Sequence, residues 1–216
     1  MMLKLENTQV MGWEAALRGM RNPKNSWGKS DSHLGESSGV YEIGPNDMKL
    51  ARTLAAAGPV HGKYLRMITV YADITAPLYW WKEYDTNKVG TVANSCSTMH
   101  KIADKKFTLY DFSYEHLEGP YLENLQETIR LLNEAREMYL WELQQEKPLV
   151  EPKAYWWQLI QLLPSSYNQR RTVMLNYAVL ANIYKSRKNH KLDCWITFCN
   201  WIENLPYAKE LICNVG

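Results

Sequence analysis

Small hydroxyl and thiol side chains gather at Ser95, Cys96, Ser97 and Thr98, behind a polar turn that carries Lys88, Gly90 and Thr91. Few bulky side chains stand here, so backbone amides and short donors can come close to a ligand. Upstream, Glu83 offers a carboxylate within an aromatic run: an acid or base, an acceptor for a base edge, or a salt-bridge partner. Lys88 is either a cation for an anionic ligand or a solvated loop lysine. His61, just past Gly58-Pro59, either meets a ligand phosphate or caps a turn. Arg187 is a guanidinium clamp with a fixed fork of donors, or a charge set favourably at the negative end of a helix. Tyr79, Trp80, Trp81 and Tyr84, like Tyr155, Trp156 and Trp157, either stack on a nucleobase or fill a core. The two stretches that hold most of these residues, Ile74–Met99 and Leu162–Arg187, suit holding a ligand better than breaking its bonds. His33, His100, His116 and His190 follow no metal-ligand spacing, and the four cysteines form no CxxC pair. No catalytic residue and no metal site is expected.

The elements that must position these groups read as follows. Lys4–Val10 has strand character and leads to a helix over Gly12–Met20. Arg21–Gly39 is rich in Asn, Ser, Gly and Lys, the composition of a flexible or ligand-binding loop; Trp27 within it argues for some docking. Asn46 or Asp47 is placed to cap a helix over Met48–Ala57, which Gly58-Pro59 stops. Alternation over Tyr64–Ile74 predicts a strand, Pro77 marks its boundary, and Leu78–Tyr84 begins a helix. Phe107–His116 is ambiguous. Helical spacing of Leu122, Leu125, Ile129, Leu132 and Leu143 predicts a helix over Tyr121–Gln145. Further helices are predicted over Ala154–Leu163, Arg170–Ser186 and Leu192–Asn204, with a short one at Tyr207–Cys213. The sum is an α+β fold with a helix-rich C-terminal half and one domain over residues 1–216.

Composition narrows the partners. With 25 basic and 23 acidic residues the chain lacks the basic excess of a nucleic-acid binder. No run approaches the ~18 apolar residues of a membrane span, and Met1–Val10 lacks the apolar stretch of a signal peptide. The cysteines are expected to be reduced, Cys194 and Cys199 inside a buried helix, which points to the cytoplasm.

Several of these residues fall into a pattern that resembles the flavin-dependent thymidylate synthases (thymidylate synthase complementing proteins). In that family a strand ends in Ala-Pro and a helix leads to an Arg-His-Arg signature, then small polar residues and a Ser-x-Arg. Here Ala76-Pro77 is followed at that spacing by Thr86-Asn87-Lys88, Val89-Gly90-Thr91 and the cluster Ser95–Thr98. His61, sixteen residues before Pro77, matches a family histidine. Leu163-Pro164, Asn176 twelve residues beyond that proline, and Arg187 eleven further match a second family pattern without gaps. Asn182 falls on a family Asn that contacts flavin. The resemblance covers most of residues 48–212.

It implies a small sheet flanked by helices, a homotetramer, FAD and dUMP bound between subunits, and reductive methylation of dUMP. It also implies a ligand-binding set: His61, Glu83, Lys88, Thr91, Ser95, Ser97, Asn176, Asn182 and Arg187, the last at the position that polarises a uracil ring. The sequence departs from the family where its phosphates are held. Thr86 and Lys88 replace both signature arginines, Thr98 replaces the Arg of Ser-x-Arg, Cys96 its Ser, and Ile160 an Arg before Leu163-Pro164. FAD is therefore expected only if other groups substitute. The reading is a binder of a nucleotide-like molecule, without thymidylate synthase activity, that sequesters its ligand in a phage-like context. The alternatives are an active FAD-dependent enzyme methylating dUMP or a related nucleotide, and a structural or protein-interaction module.

Overall fold

The structure, a computed structural model, describes residues 3–36 and 40–214. Strand β1 (Lys4–Met11) leads into helix α1 (Trp13–Arg21), and a two-stranded hairpin of β2 (His33–Leu34) and β3 (Tyr41–Glu42) precedes helix α2 (Pro45–Ala56). Strand β4 (Thr69–Pro77), helix α3 (Leu78–Tyr84) and strand β5 (Val92–Ser95) follow. The second half holds α4 (Pro120–Glu142), α5 (Pro152–Leu162), strand β6 (Asn168–Asn176), α6 (Tyr177–Arg187) and α7 (Asp193–Glu203), with a π-turn at Lys209–Cys213. Four strands form one small sheet in the order β1-β4-β6-β5. The fold is α+β with helices dominating the C-terminal half. Among the described residues no helix is long and apolar enough to cross a membrane.

Contacts divide the chain into two compact units. Unit 1 comprises residues 1–4, 74–86 and 94–171; unit 2 comprises residues 5–73, 87–93 and 172–216.

Unit 1 is built on the helical pair α4 and α5. Leu125, Ile129, Leu132 and Ala135 of α4 join Leu159 of α5 and Ile102, Phe107 and Phe112 in one apolar cluster. Glu142, at the end of α4, is buried, and its carboxylate accepts the backbone N–H of Leu149 (3.0 Å) and Val150 (3.3 Å), which folds the connecting loop back onto the helix. Trp80, Trp81 and Tyr84 are buried, with the Trp81 indole N–H donating to the Gln169 carbonyl at 2.9 Å. That settles the aromatic run on α3 as core. In the ambiguous stretch Phe107–His116, a 3-10 turn at Leu109–Asp111 is followed by a single bridge from Phe112 to Tyr167.

Unit 2 packs α6 against α7 and against a 3-10 turn at Gly62–Met67. Leu180 and Ile183 of α6 meet this interior along with Trp195, Phe198 and Ile202 of α7, all buried. The N-terminal loop is organised by a buried carboxylate. Asp47 accepts hydrogen bonds from Arg21 Nε, Ser30 Oγ, the Asp31 and Ser32 backbone N–H groups and Ser32 Oγ. Residues 37–39 of the segment read as a loop lie outside the described residues. Trp27 is half exposed, and its indole N–H donates to Asn22 Oδ1 at 2.8 Å.

Three local expectations are corrected, and one strand was not expected at all. Arg170–Ser186 is not one helix: β6 ends at Asn176 and α6 begins at Tyr177. Gln169, Val173 and Leu175 are buried at even spacing, the period of a strand, whereas Leu180 and Ile183 recur at helical spacing. The strand predicted from Tyr64 starts only at Thr69, because Gly62–Met67 closes as a 3-10 turn. The cap of α2 comes from neither Asn46 nor Asp47. The Asp31 carboxylate accepts the N–H of Asn46 (2.9 Å) and of Asp47 (3.0 Å), and the Asp47 side chain turns inward. Finally, β5 carries no alternating apolar pattern, since all four of its residues are exposed, and sequence reasoning passed over it.

Candidate functional site

In unit 1 the chain just beyond β5 is pinned to β6. The Cys96 N–H donates to the Arg170 carbonyl at 2.9 Å, and Gln169 Nε2 donates to the Cys96 carbonyl at 2.8 Å. Ser97 Oγ accepts the His100 N–H at 3.0 Å and tightens the turn that follows. These bonds place Ser97, Thr98 and Lys101 opposite Arg170 around a hollow of about 420 Å³ that Lys105 and Asp111 also line. Lys101 pairs with Asp104 at 3.2 Å, and Lys105 with Asp111. Burial pushes the Asp111 carboxyl up, but Lys105 and the Thr108 N–H and hydroxyl outweigh it and hold the group below the usual carboxylate range. Lys101, Lys105 and Arg170 thus stand around it together with the carboxylates of Asp104 and Asp111. Hydroxyl, ammonium and guanidinium donors on one wall make a setting for an oxygen-rich group.

The predicted site residues divide as follows. Ser97 lines this hollow, whereas Ser95 is exposed within β5 outside it. Glu83 is half buried on α3 and borders a different hollow of unit 1, with Lys82, Thr86 and Ser165.

In unit 2, Asn176 is the N-cap of α6, its Oδ1 accepting the Val179 N–H at 3.0 Å. Its Nδ2 faces Gly90, whose φ of +74° is a backbone state that side chains disfavour. A Cβ on Gly90 would stand 2.8 Å from that nitrogen. Thr91 closes the same turn by donating to the Asn87 carbonyl at 2.6 Å, and Lys88 is exposed on it. Asn182 lies on α6 in a cleft of about 460 Å³ lined by Pro59, Gly62, Ala178, Lys185 and Lys188. His61 is exposed just before Gly62, at the start of the 3-10 turn, and does not line that cleft. Arg187 ends α6 with its guanidinium over the Trp195 ring, 4.8 Å from the centroid.

Sequence reasoning missed Lys101, Lys105 and Arg170. In sequence they look like solvated charges. The available signal was the strand period of residues 169–175, which sets Arg170 on the face opposite the buried Gln169. Among the described residues no three His, Cys, Asp or Glu side chains gather where they could hold a metal ion.

The architecture is that of the flavin-dependent thymidylate synthase, or thymidylate synthase X, fold. A crystal structure of thymidylate synthase X from Helicobacter pylori with FAD and dUMP superimposes with a TM-score of 0.65 at 15% identity, covering 98% of this chain and 97% of that one. A second structure of the Helicobacter pylori enzyme complexed with FAD and dUMP matches with the same TM-score of 0.65 at 14% identity over 100% of both chains. No protein-family model matches the sequence, and no curated protein does.

Proposed function

We propose that this chain binds a nucleotide-like molecule on a thymidylate synthase X-like scaffold and sequesters it without thymidylate synthase activity. The observation that carries the reading is the unit 1 hollow, where Ser97, Thr98, Lys101 and Arg170 surround a space suited to a phosphate. The neighbours that share the fold hold FAD and dUMP, which supports a phosphorylated nucleoside as the ligand class.

The residues present do not fit the flavin diphosphate. At the positions where the resembled family carries arginines, the Thr86 hydroxyl is turned back on the Glu83 carbonyl at 2.7 Å, and Ile160 packs against the apolar cluster of unit 1. Lys88 is the one cation among the four departures Thr86, Lys88, Thr98 and Ile160. A charge-assisted hydrogen bond to phosphate is worth ~1.5–3 kcal/mol, so three missing arginines weaken such binding by about three to six orders of magnitude. No flavin-dependent step is derived. Ligand capture of this kind needs no nucleophile or general base, only donors, charge and a fixed backbone. The remaining residues named from the resemblance stay proposed ligand contacts unit by unit, Glu83 and Ser95 with Ser97 in unit 1 and His61, Lys88, Thr91, Asn176, Asn182 and Arg187 in unit 2, in a homo-oligomer located in the cytoplasm.

The test is calorimetric titration of the purified chain with a panel of nucleoside mono- and diphosphates, beside mass spectrometry of ligand released on denaturation. Saturable heat with at least one nucleotide is expected, reduced tenfold or more in Arg170→Ala. No heat with any of them, and no co-purifying nucleotide, contradicts the reading.

A further inference from the structure

One short turn of unit 1 serves two hollows. Ser97, Thr98 and Lys101 face the phosphate-suited space described above, while the intervening Met99 and His100 face a second one of about 620 Å³. Tyr139 of α4 and Trp156 and Lys153 of α5 complete the second hollow. Its aromatic wall is fixed: the Trp156 indole N–H donates to the Met99 carbonyl at 3.0 Å, and the Trp157 ring meets it edge-on with centroids 4.8 Å apart. The same turn is fixed from the other side by the His100 N–H on Ser97 Oγ. The two spaces thus share one turn that is hydrogen-bonded on both sides.

We infer that the second hollow is a nucleobase subsite, with Trp156 as its stacking platform. This rests on reading the first hollow as the phosphate site. Thr98 and His100 are two residues apart, so their Cα atoms lie within about 7 Å of one another and the two hollows flank the same turn. An indole face accepts any base because every base presents a π surface. Tyr139 supplies a second ring, and the Lys153 ammonium donates only, so it pairs with ring nitrogens or carbonyl oxygens on the base edge. Recognition would then divide between the two sides of the turn: phosphate at Ser97, Thr98 and Arg170, base at Trp156. A competing platform exists at Tyr110, 81% exposed on the rim of the first hollow, and the test separates the two.

The experiment is 15N-indole NMR of the full chain titrated with nucleoside monophosphates, the Trp156 signal being identified by its loss in Trp156→Phe. The Trp156 resonance is expected to move on saturation. Trp156→Ala is expected to weaken nucleotide binding about tenfold or more, and Trp156→Phe, which keeps a stacking ring, to retain most of the affinity. Unchanged affinity in Trp156→Ala together with an unmoved Trp156 resonance overturns the subsite, as does a loss that appears in Tyr110→Ala instead. Should wild type bind no nucleoside monophosphate at all, the phosphate reading falls with it. Binding that ignores Trp156 sinks the base subsite alone.

Discussion

Asp47 is fully buried, and five donors converge on its carboxylate. Burial alone pushes its pKa up, but Ser32, Ser30, Arg21 and the Asp31 N–H together outweigh that and hold it below the usual carboxylate range. A carboxyl whose pKa falls on folding stabilises at every pH above the ordinary aspartate range near 4, and that contribution drains away as pH drops through the lower folded value. Thermal melts of wild type should therefore lose stability below about pH 4, and an Asp47→Asn variant should show less of that acid dependence. At neutral pH the same variant leaves Arg21 buried without its counter-charge, for a loss of about 3–5 kcal/mol, measurable by urea denaturation. Cysteine chemistry offers a second prediction at this scale. Cys96 is exposed, whereas Cys199 is buried with its thiol pushed by that burial up to about 11. A thiol reagent at pH 8 should label Cys96 first and leave Cys199 unmodified until unfolding. On the proposed reading a bound nucleotide should slow labelling of Cys96, because that residue lines the unit 1 hollow proposed to take its phosphate. Unprotected Cys96 at saturating nucleotide would place the ligand elsewhere.

Helix α4 was legible because it carries apolar residues at helical spacing over many turns, and burial followed that pattern at Leu125, Ile129 and Leu132. The stretch that became β6 and α6 was not. Its apolar set, Val173, Leu175, Leu180 and Ile183, mixes a strand interval with a helical one, and nothing local except Asn176 marks the change. That asparagine does so by capping α6. Replacing it with Ala should cost about 1 kcal/mol, while Asp, an equally good cap, should cost little; chemical denaturation distinguishes them. Gly90→Ala should destabilise as well, by about 1 kcal/mol or more, since it puts a Cβ against Asn176 at positive φ. An Asn176→Gly background should relieve the steric share of that cost and leave the backbone share. The strand β5 stayed hidden for a different reason: an exposed strand held by one neighbour has no buried face to impose alternation.

At the scale of the molecule, the α+β class was legible in the run of strand- and helix-patterned segments, and the thymidylate synthase-like fold in the order and ungapped spacing of Ala76-Pro77, Leu163-Pro164, Asn176 and Arg187. The candidate site was legible only in part. Ser97 was named from the hydroxyl cluster, while Lys101, Lys105 and Arg170 reach the same hollow through pairing of residue 96 with β6, a tertiary fact that side-chain types alone do not encode. The abundance of Trp and Tyr likewise separates only in three dimensions. Trp80, Trp81 and Trp195 are core, and Trp156 borders a hollow. On the proposed reading, what sets this chain apart from the family its sequence resembles is charge: Ile160 and Thr86 fall where that resemblance expects arginines. Parallel calorimetric titrations of the purified chain with FAD and with nucleoside monophosphates test this most directly. The expected result is saturable heat with a nucleotide and none with FAD. Stoichiometric FAD binding, with flavin absorbance in the protein as purified, would contradict it.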